Sequence, residues 1–217
     1  MDKAALKKMA AEAALTDIKS NMIIGVGTGS TIAPFIQGLH AIRQNIEGAV
    51  PSSLQTAKLL QEQGIPLIDP NSVSELELYV DGADEFNEHH QLIKGGGGAL
   101  TREKILATMA KKFICIVDDT KRVNLLGKFP VAVEVLAFAR SFVAREILKL
   151  GGSPTYRENF KTDNGNIILD IFNLPLLEPS VMESALNNIP GVVANGIFSH
   201  RRADKIIIGS QNGITSI

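Results

Sequence analysis

The sequence lacks the cysteine pairs that stabilise many secreted proteins. Its 217 residues include one cysteine, Cys115, which cannot form an internal disulfide bond. Cys115 lies in the apolar run 113–117, which predicts a buried structural thiol and not a reactive one. A single unpaired cysteine is typical of a reducing compartment, so we expect a cytoplasmic protein.

Long apolar runs and an excess of one charge are also missing. No run approaches the roughly 18 residues that a membrane span needs. The lysines at 3, 7 and 8 stand among alanine and leucine at helical spacing, which predicts an amphipathic helix and not a signal peptide. Basic and acidic residues number 22 and 23, for a net charge of −1. Without a basic patch, nucleic acid is a poor candidate ligand, and we expect neither a membrane nor a nucleic-acid partner.

The first half of the chain alternates short apolar runs with helical stretches. Such alternation predicts parallel βαβ units with helices on both faces of a sheet. Ser30 or Thr31 is placed to cap the first helix of this series. The predicted strands are 22–26, 47–50, 66–68, 76–80 and 113–117, and the predicted helices are 32–43, 53–63 and 98–112.

The pattern changes near residue 127. The strands 131–135, 154–157, 167–171 and 192–198 and the helices 140–150 and 180–188 follow in β-α-β-β-α-β order, as in a ferredoxin-like unit. The Asn-Gly pair within 162–166 predicts a hairpin turn, and 205–209 predicts a strand returning to the first sheet. The expected fold is α/β, with a Rossmann-like, mostly parallel sheet domain (1–127 and 205–217). A smaller inserted α+β domain (128–204) is expected to serve as a lid or in oligomerisation.

A glycine-rich segment, the first loop (residues 25–31), separates a predicted strand from a helix. Its glycines, its hydroxyl groups and the helix N-terminus suit a phosphate group. Glu47 lies near the distance expected for the ribose-binding acid of a dinucleotide site, but the G-x-G-x-x-G pattern requires glycine where Ser30 stands. A purely structural loop is the remaining alternative.

The second loop (residues 81–85) directly follows another predicted strand. Asp81 and Asp84 flank a Gly-Ala turn at a sheet edge where open α/β folds bind ligands, so both carboxylates could face one small molecule. Sugar hydroxyls, proton relay or a metal ion are open possibilities, and an acidic turn in solvent is the structural alternative. His89 and His90 are adjacent and cannot both face a site from one regular element, which disfavours a metal.

Four glycines follow Lys94 in the third loop (residues 94–98). Amide groups beside a lysine are suited to bind an oxyanion. Glu103 falls in the first turn of the next predicted helix, where it could act as a base, although, taken alone, a favourable helix-start charge or a capping-box partner explains it better. Because each of the three loops follows a strand of the predicted parallel sheet, we expect them to converge. A carboxylate base with a charge sink for an enediolate is what proton abstraction next to a carbonyl requires.

Taken together, these segments resemble the A-type ribose-5-phosphate isomerase family, in order and over nearly the whole chain. The matching segments are 25–31, 80–85, 94–97 with 100–104, Asp118 with Lys121, 127–131, 150–152, 162–166 and 189–192. The resemblance implies interconversion of D-ribose 5-phosphate and D-ribulose 5-phosphate in the non-oxidative pentose phosphate pathway, without metal or organic cofactor.

The same resemblance implies roles for individual residues. Glu103 would be the general base, Asp81 and Lys94 would lie near the reacting oxygens, and Asp84 would assist ring opening. The amides of Gly95, Gly96 and Gly97 would stabilise the enediolate with Lys94. The other implied substrate contacts are Thr28, Gly29, Ser30, Thr31, Gly82, Ala83 and Lys121, with Lys7 as a weaker match for the phosphate. The family also implies a homo-oligomer, with a dimer expected before a tetramer.

Two other functions fit parts of the sequence. A non-catalytic sugar-phosphate sensor could dispense with Glu103 and Lys94, but it would need an output domain, for which we expect no room in this chain. A related enzyme, such as an amino-sugar deaminase or an acyl-CoA transferase, is disfavoured because all three loops are present together.

Overall fold

The computed structural model describes residues 2–217. Its α-helices are α1 (Lys3–Leu15), α2 (Ile32–Ile42), α3 (Leu54–Glu62), α4 (Leu100–Met109), α5 (Arg140–Lys149) and α6 (Pro179–Asn187). Its strands are β1 (Met22–Val26), β2 (Ile46–Pro51), β3 (Leu76–Asp81), β4 (Glu85–Phe86), β5 (Leu92–Ile93), β6 (Ala110–Asp118), β7 (Val131–Val135), β8 (Ser153–Tyr156), β9 (Ile167–Phe172), β10 (Val192–Asn195), β11 (Ile197–Phe198), β12 (Lys205–Ser210) and β13 (Gly213–Ser216). Short 3-10 turns occupy Arg43–Asn45, Pro70–Ser72, Asp119–Lys121 and Ala137–Ala139. None of the helices within 2–217 is long and apolar enough to cross a membrane.

The chain divides into two compact units. The first unit contains the chain up to Ala83, Arg102–Lys121 and Ala203–Ile217, and the second contains Asp84–Thr101 and Arg122–Arg202. The predicted domain bounds differ from these units chiefly in 84–101, which we had assigned to the larger domain. The predicted division into one domain of residues 1–127 with 205–217 and a second domain of residues 128–204 stays a prediction.

A six-stranded sheet in the order β13-β12-β6-β3-β1-β2 organises the first unit. All neighbouring strands are parallel except β12 and β13, which form an antiparallel hairpin. Val26 pairs with Val80, and Asp81 pairs with Cys115, so β1 and β3 end together. The residues that follow β1, β3 and β6 therefore lie at one edge of the sheet.

Apolar side chains from both the sheet and its helices form the core of the first unit. The middle strands are buried along most of their length, as expected for parallel strands covered on both faces. Cys115 is fully buried within β6, as predicted. Members of the core include Ala10, Ala14, Ile24, Phe35, Leu39, Leu60, Val80 and Ile114.

The second unit contains a four-stranded antiparallel sheet in the order β10-β7-β9-β8, packed with α5 and α6. This order, with the chain order β7-α5-β8-β9-α6-β10, confirms the predicted ferredoxin-like arrangement. A separate three-stranded antiparallel sheet has the order β11-β5-β4. The fold class is therefore as predicted: α/β with a mostly parallel sheet, plus a smaller antiparallel unit.

Some predicted elements in the first unit are wrong in detail. Residues 66–68 form no strand and contribute one bridge, between Leu67 and Ala49, because Pro66 has no N–H to donate to a ladder. The helix predicted over 98–112 begins at Leu100, after Gly98 adopts a φ of +79°. It ends at Met109, where β6 begins earlier than predicted.

The second unit and the C-terminus also differ in detail from the prediction. The strand predicted over 192–198 is divided at Gly196, so that β10 pairs with β7 while β11 pairs with β5. The Asn-Gly pair does form a turn, with Gly165 at a φ of +81°, but this turn lies inside a longer connection between β8 and β9. Strand β13 was not predicted.

Candidate active site

The first loop lies directly against the end of β3. The Gly27 amide donates to the Val80 carbonyl over 2.9 Å, and the Thr28 amide donates to Oδ1 of Asp81 over 3.1 Å. A Cβ at Gly27 would overlap the Asp81 carboxylate, and a Cβ at Gly25 would lie 2.7 Å from the Tyr79 ring. Two of the loop's glycines are thus required by side chains of β3, in addition to any role toward an anion.

Thr28 points toward a cluster of hydroxyl groups at the start of α3. Its Oγ1 lies 2.7 Å from Ser52 Oγ, 2.8 Å from Ser53 Oγ and 3.1 Å from Thr56 Oγ1. Thr56 donates onward to the Gly27 carbonyl over 2.7 Å. This hydroxyl cluster (Thr28, Ser52, Ser53 and Thr56) therefore holds the first loop at Gly27 and Thr28, against the start of α3. No role was predicted for Ser52 and Ser53, which lie between β2 and α3, or for Thr56 on α3.

The outer part of the first loop contacts the N-terminal helix. Lys7 Nζ donates to Ser30 Oγ over 2.8 Å, which places an ammonium group beside the loop. Thr31 occupies the N-cap position of α2, but its side chain makes no capping hydrogen bond. The predicted cap is therefore wrong, and the amides of Ile32 and Ala33 donate to the Gly29 carbonyl instead.

Asp81 is a fully buried carboxylate held by three donors. The amides of Thr28 and Gly82 donate to Oδ1, and the Tyr79 hydroxyl donates to Oδ2. Burial raises the pKa of Tyr79 well above its usual value, and the negative charges of Asp81 and Glu103 raise it further. Tyr79 is therefore a protonated donor at any physiological pH.

Glu103 lies in the first turn of α4 and is only 4% exposed. The negative charge of Glu103 is one of the causes that raise the pKa of Tyr79. Asp118, the last residue of β6, is buried and accepts hydrogen bonds from the amide and hydroxyl of Thr120. Lys121 follows at the end of the same 3-10 turn.

Lys94 and Asp84 belong to the second unit. Lys94 follows β5, is 3% exposed, and has its Nζ 5.7 Å from the centroid of the Phe198 ring. The Gly96 amide donates to Oδ2 of Asp84 over 2.9 Å. Since β5 belongs to the three-stranded sheet, the premise that the third loop follows a strand of the parallel sheet is wrong.

A guanidinium group holds the carbonyl side of the third loop. Arg157 donates to the Gly95 carbonyl from two nitrogens and to the Gly96 carbonyl from one, each over 3.3 Å. Asp170 binds the same guanidinium through two hydrogen bonds of 2.8 and 2.5 Å. The guanidinium also lies 5.3 Å from the Phe160 ring centroid. Our sequence reasoning missed Arg157, which is about sixty residues from the loop and carries no local signal.

A second buried carboxylate holds the start of α4. Glu134, on β7, accepts hydrogen bonds from the Thr101 hydroxyl, from Thr162 over 2.8 Å and from Asn166 over 2.8 Å. The Asn164 amide also donates to it. The turn at 162–166, predicted as a hairpin turn and as one of the segments that carry the family resemblance, therefore donates hydrogen bonds to a carboxylate that holds the residue just before Arg102.

The predicted site residues fall into two groups. The chain leaves the first unit after Ala83 and returns to it at Arg102. The first unit contains Thr28, Gly29, Ser30, Thr31, Asp81, Gly82, Ala83, Glu103 and Lys121, and the second unit contains Asp84, Lys94, Gly95, Gly96 and Gly97. Within residues 2–217, no three His, Cys, Asp or Glu side chains are arranged to hold a metal ion.

Known proteins resemble this chain in sequence and in fold. The sequence model of the family described as ribose 5-phosphate isomerase A (phosphoriboisomerase A) matches residues 48–213. A Legionella pneumophila protein named ribose-5-phosphate isomerase A is 59% identical over 212 residues, 98% of each chain.

Two solved structures extend the comparison to three dimensions. Ribose 5-phosphate isomerase A from Neisseria gonorrhoeae is 45% identical, with a TM-score of 0.98 over 100% of this chain and 97% of that one. A D-ribose-5-phosphate isomerase in complex with phospho-erythronic acid is 39% identical, with a TM-score of 0.96 over 100% of this chain and 99% of that one.

Proposed function

The chain belongs to the ribose 5-phosphate isomerase A family, and we propose that it interconverts D-ribose 5-phosphate and D-ribulose 5-phosphate. The reaction moves a proton between C1 and C2 through an enediolate. The observation that carries the proposal is the buried carboxylate Glu103, which lies in one compact unit with the hydroxyl-rich first loop and Asp81. The related enzyme bound to phospho-erythronic acid supports it, because that acid combines a phosphate with a carboxylate whose paired oxygens resemble an enediolate.

In our proposal, the first loop holds the substrate phosphate. Because the Thr28 hydroxyl is engaged by the hydroxyl cluster and Ile32 and Ala33 donate to Gly29, the contacts come from the outer part of the loop. There the amides of 29–31 and the Ser30 and Thr31 side chains are the donors, since the Thr28 amide donates to Asp81. Lys7, bound to Ser30, adds a positive charge, and Lys121 supplies a further contact. An anion is favoured at such a helix start.

We assign proton transfer to Glu103. A carboxylate is a competent general base when it is held within reach of the proton, and burial keeps water from competing with the substrate. Asp81 contacts the reacting oxygens, and the backbone at Gly82 and Ala83 completes this part of the substrate contact. The three donors on Asp81 leave its carboxylate one orientation.

We assign stabilisation of the enediolate to the second unit. Lys94 is a nearly fully buried cation, and a buried positive charge interacts far more strongly with a developing oxyanion than one in water. The amides of Gly95 and Gly97 act with it. The Gly96 amide donates to Asp84, so we expect Gly96 to act chiefly by holding Asp84 for ring opening.

The test of this function is turnover of ribose 5-phosphate by the pure protein in the presence of a chelator and with no added cofactor. Glu103→Gln should lower kcat by about 10²–10⁴-fold, the usual worth of general-base catalysis, while substrate binding persists. Glu12→Gln is the matched control, since Glu12 is exposed and forms its ion pair with Lys8 on α1, which is also exposed. No turnover by the folded wild type would reject the isomerase function, and an unchanged kcat in Glu103→Gln would reject the base.

We further propose that the chain forms a homodimer, and that residues 128–204 supply the interface. Large apolar side chains are exposed there, including Leu136 at 49%, Phe138 at 104% and Leu177 at 81%, and exposed apolar patches mark interaction sites. Sedimentation velocity should give twice the chain mass for the wild type, and Phe138→Ser should shift the equilibrium toward the monomer. A monomeric wild type would contradict this proposal. We also propose that the reaction takes place in the cytoplasm, as a step of the pentose phosphate pathway.

A further inference from the structure

We propose that Tyr79 is a positioning residue for the isomerase reaction, whose buried hydroxyl orients the Asp81 carboxylate toward the reacting oxygens. The inference rests on the proposed function. Tyr79 precedes Asp81 by two positions on β3, so both side chains point to the same face of the sheet. Neither residue has any exposed surface.

Hydrogen bonds account for both oxygens of the Asp81 carboxylate. Oδ1 accepts from the Thr28 and Gly82 amides, at 3.1 and 2.7 Å, and Oδ2 accepts from the Tyr79 hydroxyl. The two amides hold one oxygen and the tyrosine holds the other, so these donors together resist rotation about the bond to the carboxylate. The tyrosine hydroxyl therefore contributes to the orientation of the carboxylate from the side opposite the amides.

Packing alone does not require a hydroxyl at this position. The Tyr79 ring lies 5.0 Å from the Phe113 ring, and Gly25 leaves space for its edge, which a phenylalanine would fill equally well. A buried hydroxyl costs free energy unless it has a partner. Because burial and the charges of Asp81 and Glu103 raise the pKa of Tyr79, the hydroxyl keeps its proton and remains a donor.

The same hydroxyl is connected to the hydroxyl cluster through the Ser52 side chain. Thr28 also lies within hydrogen-bond distance of Ser53 and Thr56, which hold the first loop independently of Ser52. We therefore expect removal of the Tyr79 hydroxyl to loosen the Asp81 carboxylate while the first loop retains its shape. The expected consequence is a slower chemical step with an unchanged phosphate contact.

The experiment is Tyr79→Phe, assayed with ribose 5-phosphate. We expect kcat to fall about tenfold while KM stays within twofold, since an interaction made mainly in the transition state is lost. Tyr156→Phe is the matched control, because Tyr156 is the chain's other tyrosine and its ring contacts Arg140 in the second unit. That variant should keep the wild-type kcat and KM.

A double-mutant comparison separates positioning from a general loss of structure. If Tyr79 acts through Asp81, then Asp81→Asn with Tyr79→Phe should be no slower than Asp81→Asn alone. Multiplied effects, an unchanged kcat in Tyr79→Phe, or a rise in KM alone would overturn the proposal. A Tyr79→Phe protein that fails to fold, as judged by circular dichroism, would also overturn it, because the hydroxyl would then serve the fold. Wild-type turnover tests the proposed function separately.

Discussion

The first and third loops have similar compositions but combine two causes for their glycines differently. In the first loop, Gly25 and Gly27 leave space for side chains of β3, whereas Gly29, with a φ of +121°, has open space around it. In the third loop, Gly95 and Gly98 meet both conditions, since their φ values are +106° and +79° and a built Cβ would lie 2.7 Å from Ala132 at the first and overlap the Phe160 ring at the second. Packing and backbone conformation thus require glycine at separate positions in the first loop and at the same positions in the third.

This difference shows that a run of glycines in a sequence does not by itself indicate why each glycine is needed. A glycine that admits a neighbour's side chain is costly to replace because two groups would occupy one space. A glycine that provides backbone freedom is costly to replace only at positive φ. Both loops meet the same sequence criterion for anion binding, and only their surroundings distinguish them.

The largest expected effect follows from that distinction. Gly27→Ala should lower the free energy of unfolding by about 3 kcal/mol, the upper end for overpacking, because the added Cβ would displace the Asp81 carboxylate. It should also abolish measurable turnover. Gly97→Ala, with open space around it, should change stability by less than about 0.5 kcal/mol. Urea unfolding of both variants is the measurement, and equal losses would remove the contrast between the loops.

The second expected effect concerns the support of the third loop. Arg157→Met should lower the free energy of unfolding by about 2 kcal/mol, between the values for surface and fully buried ion pairs. Arg157 and Asp170 are each 18% exposed, and loss of the cation would leave Asp170 largely buried without its partner. Lys149→Met is the control, because the lysine of the Lys149–Glu146 ion pair is exposed and this pair should contribute little to the free energy of unfolding. A loss in Arg157→Met no larger than in this control would show that the loop keeps its shape without the cation.

The smallest expected effect concerns alkaline pH and the first loop. The pKa of Tyr79 is raised in the folded state. The protonated hydroxyl therefore makes its full contribution to the free energy of unfolding at any pH below about 10, the pKa of tyrosine in the unfolded chain. This contribution is lost as pH rises from there toward the folded pKa, by at most about 1.4 kcal/mol per pH unit. Urea unfolding between pH 8 and 11 should give a steeper loss for the wild type than for Tyr79→Phe. Equal slopes would contradict the prediction.

Much of the fold was predictable because its signals are local. Strand-length apolar runs, helix-length amphipathic stretches and turn residues identified most elements, including the ferredoxin-like order of the second unit. The errors occurred where tertiary pairing overrides local preference. Leu67 forms one bridge instead of a strand, and Gly196 divides the last strand of the second unit between two sheets.

The residues expected to contact substrate were also found in the sequence, because they cluster in three short segments. Their supporting residues were not, because each lies far away in sequence or has an ordinary identity. Glu134, on β7, holds the start of α4, and Arg157, just after β8, holds the third loop, each from thirty residues or more along the chain. Tyr79 is an exception with a local signal, since it lies on a predicted strand two positions before Asp81.

The sequence by itself determined the fold class, the family resemblance and the residues expected to carry the chemistry, since each rests on residue types at fixed spacing along the chain. Only the tertiary structure decided how those residues are held. It packed Tyr79 and Asp81 against the first loop, joined Asp84 to Gly96, and brought Arg157 to the third loop. These arrangements depend on contacts between residues distant in sequence, which no local pattern encodes.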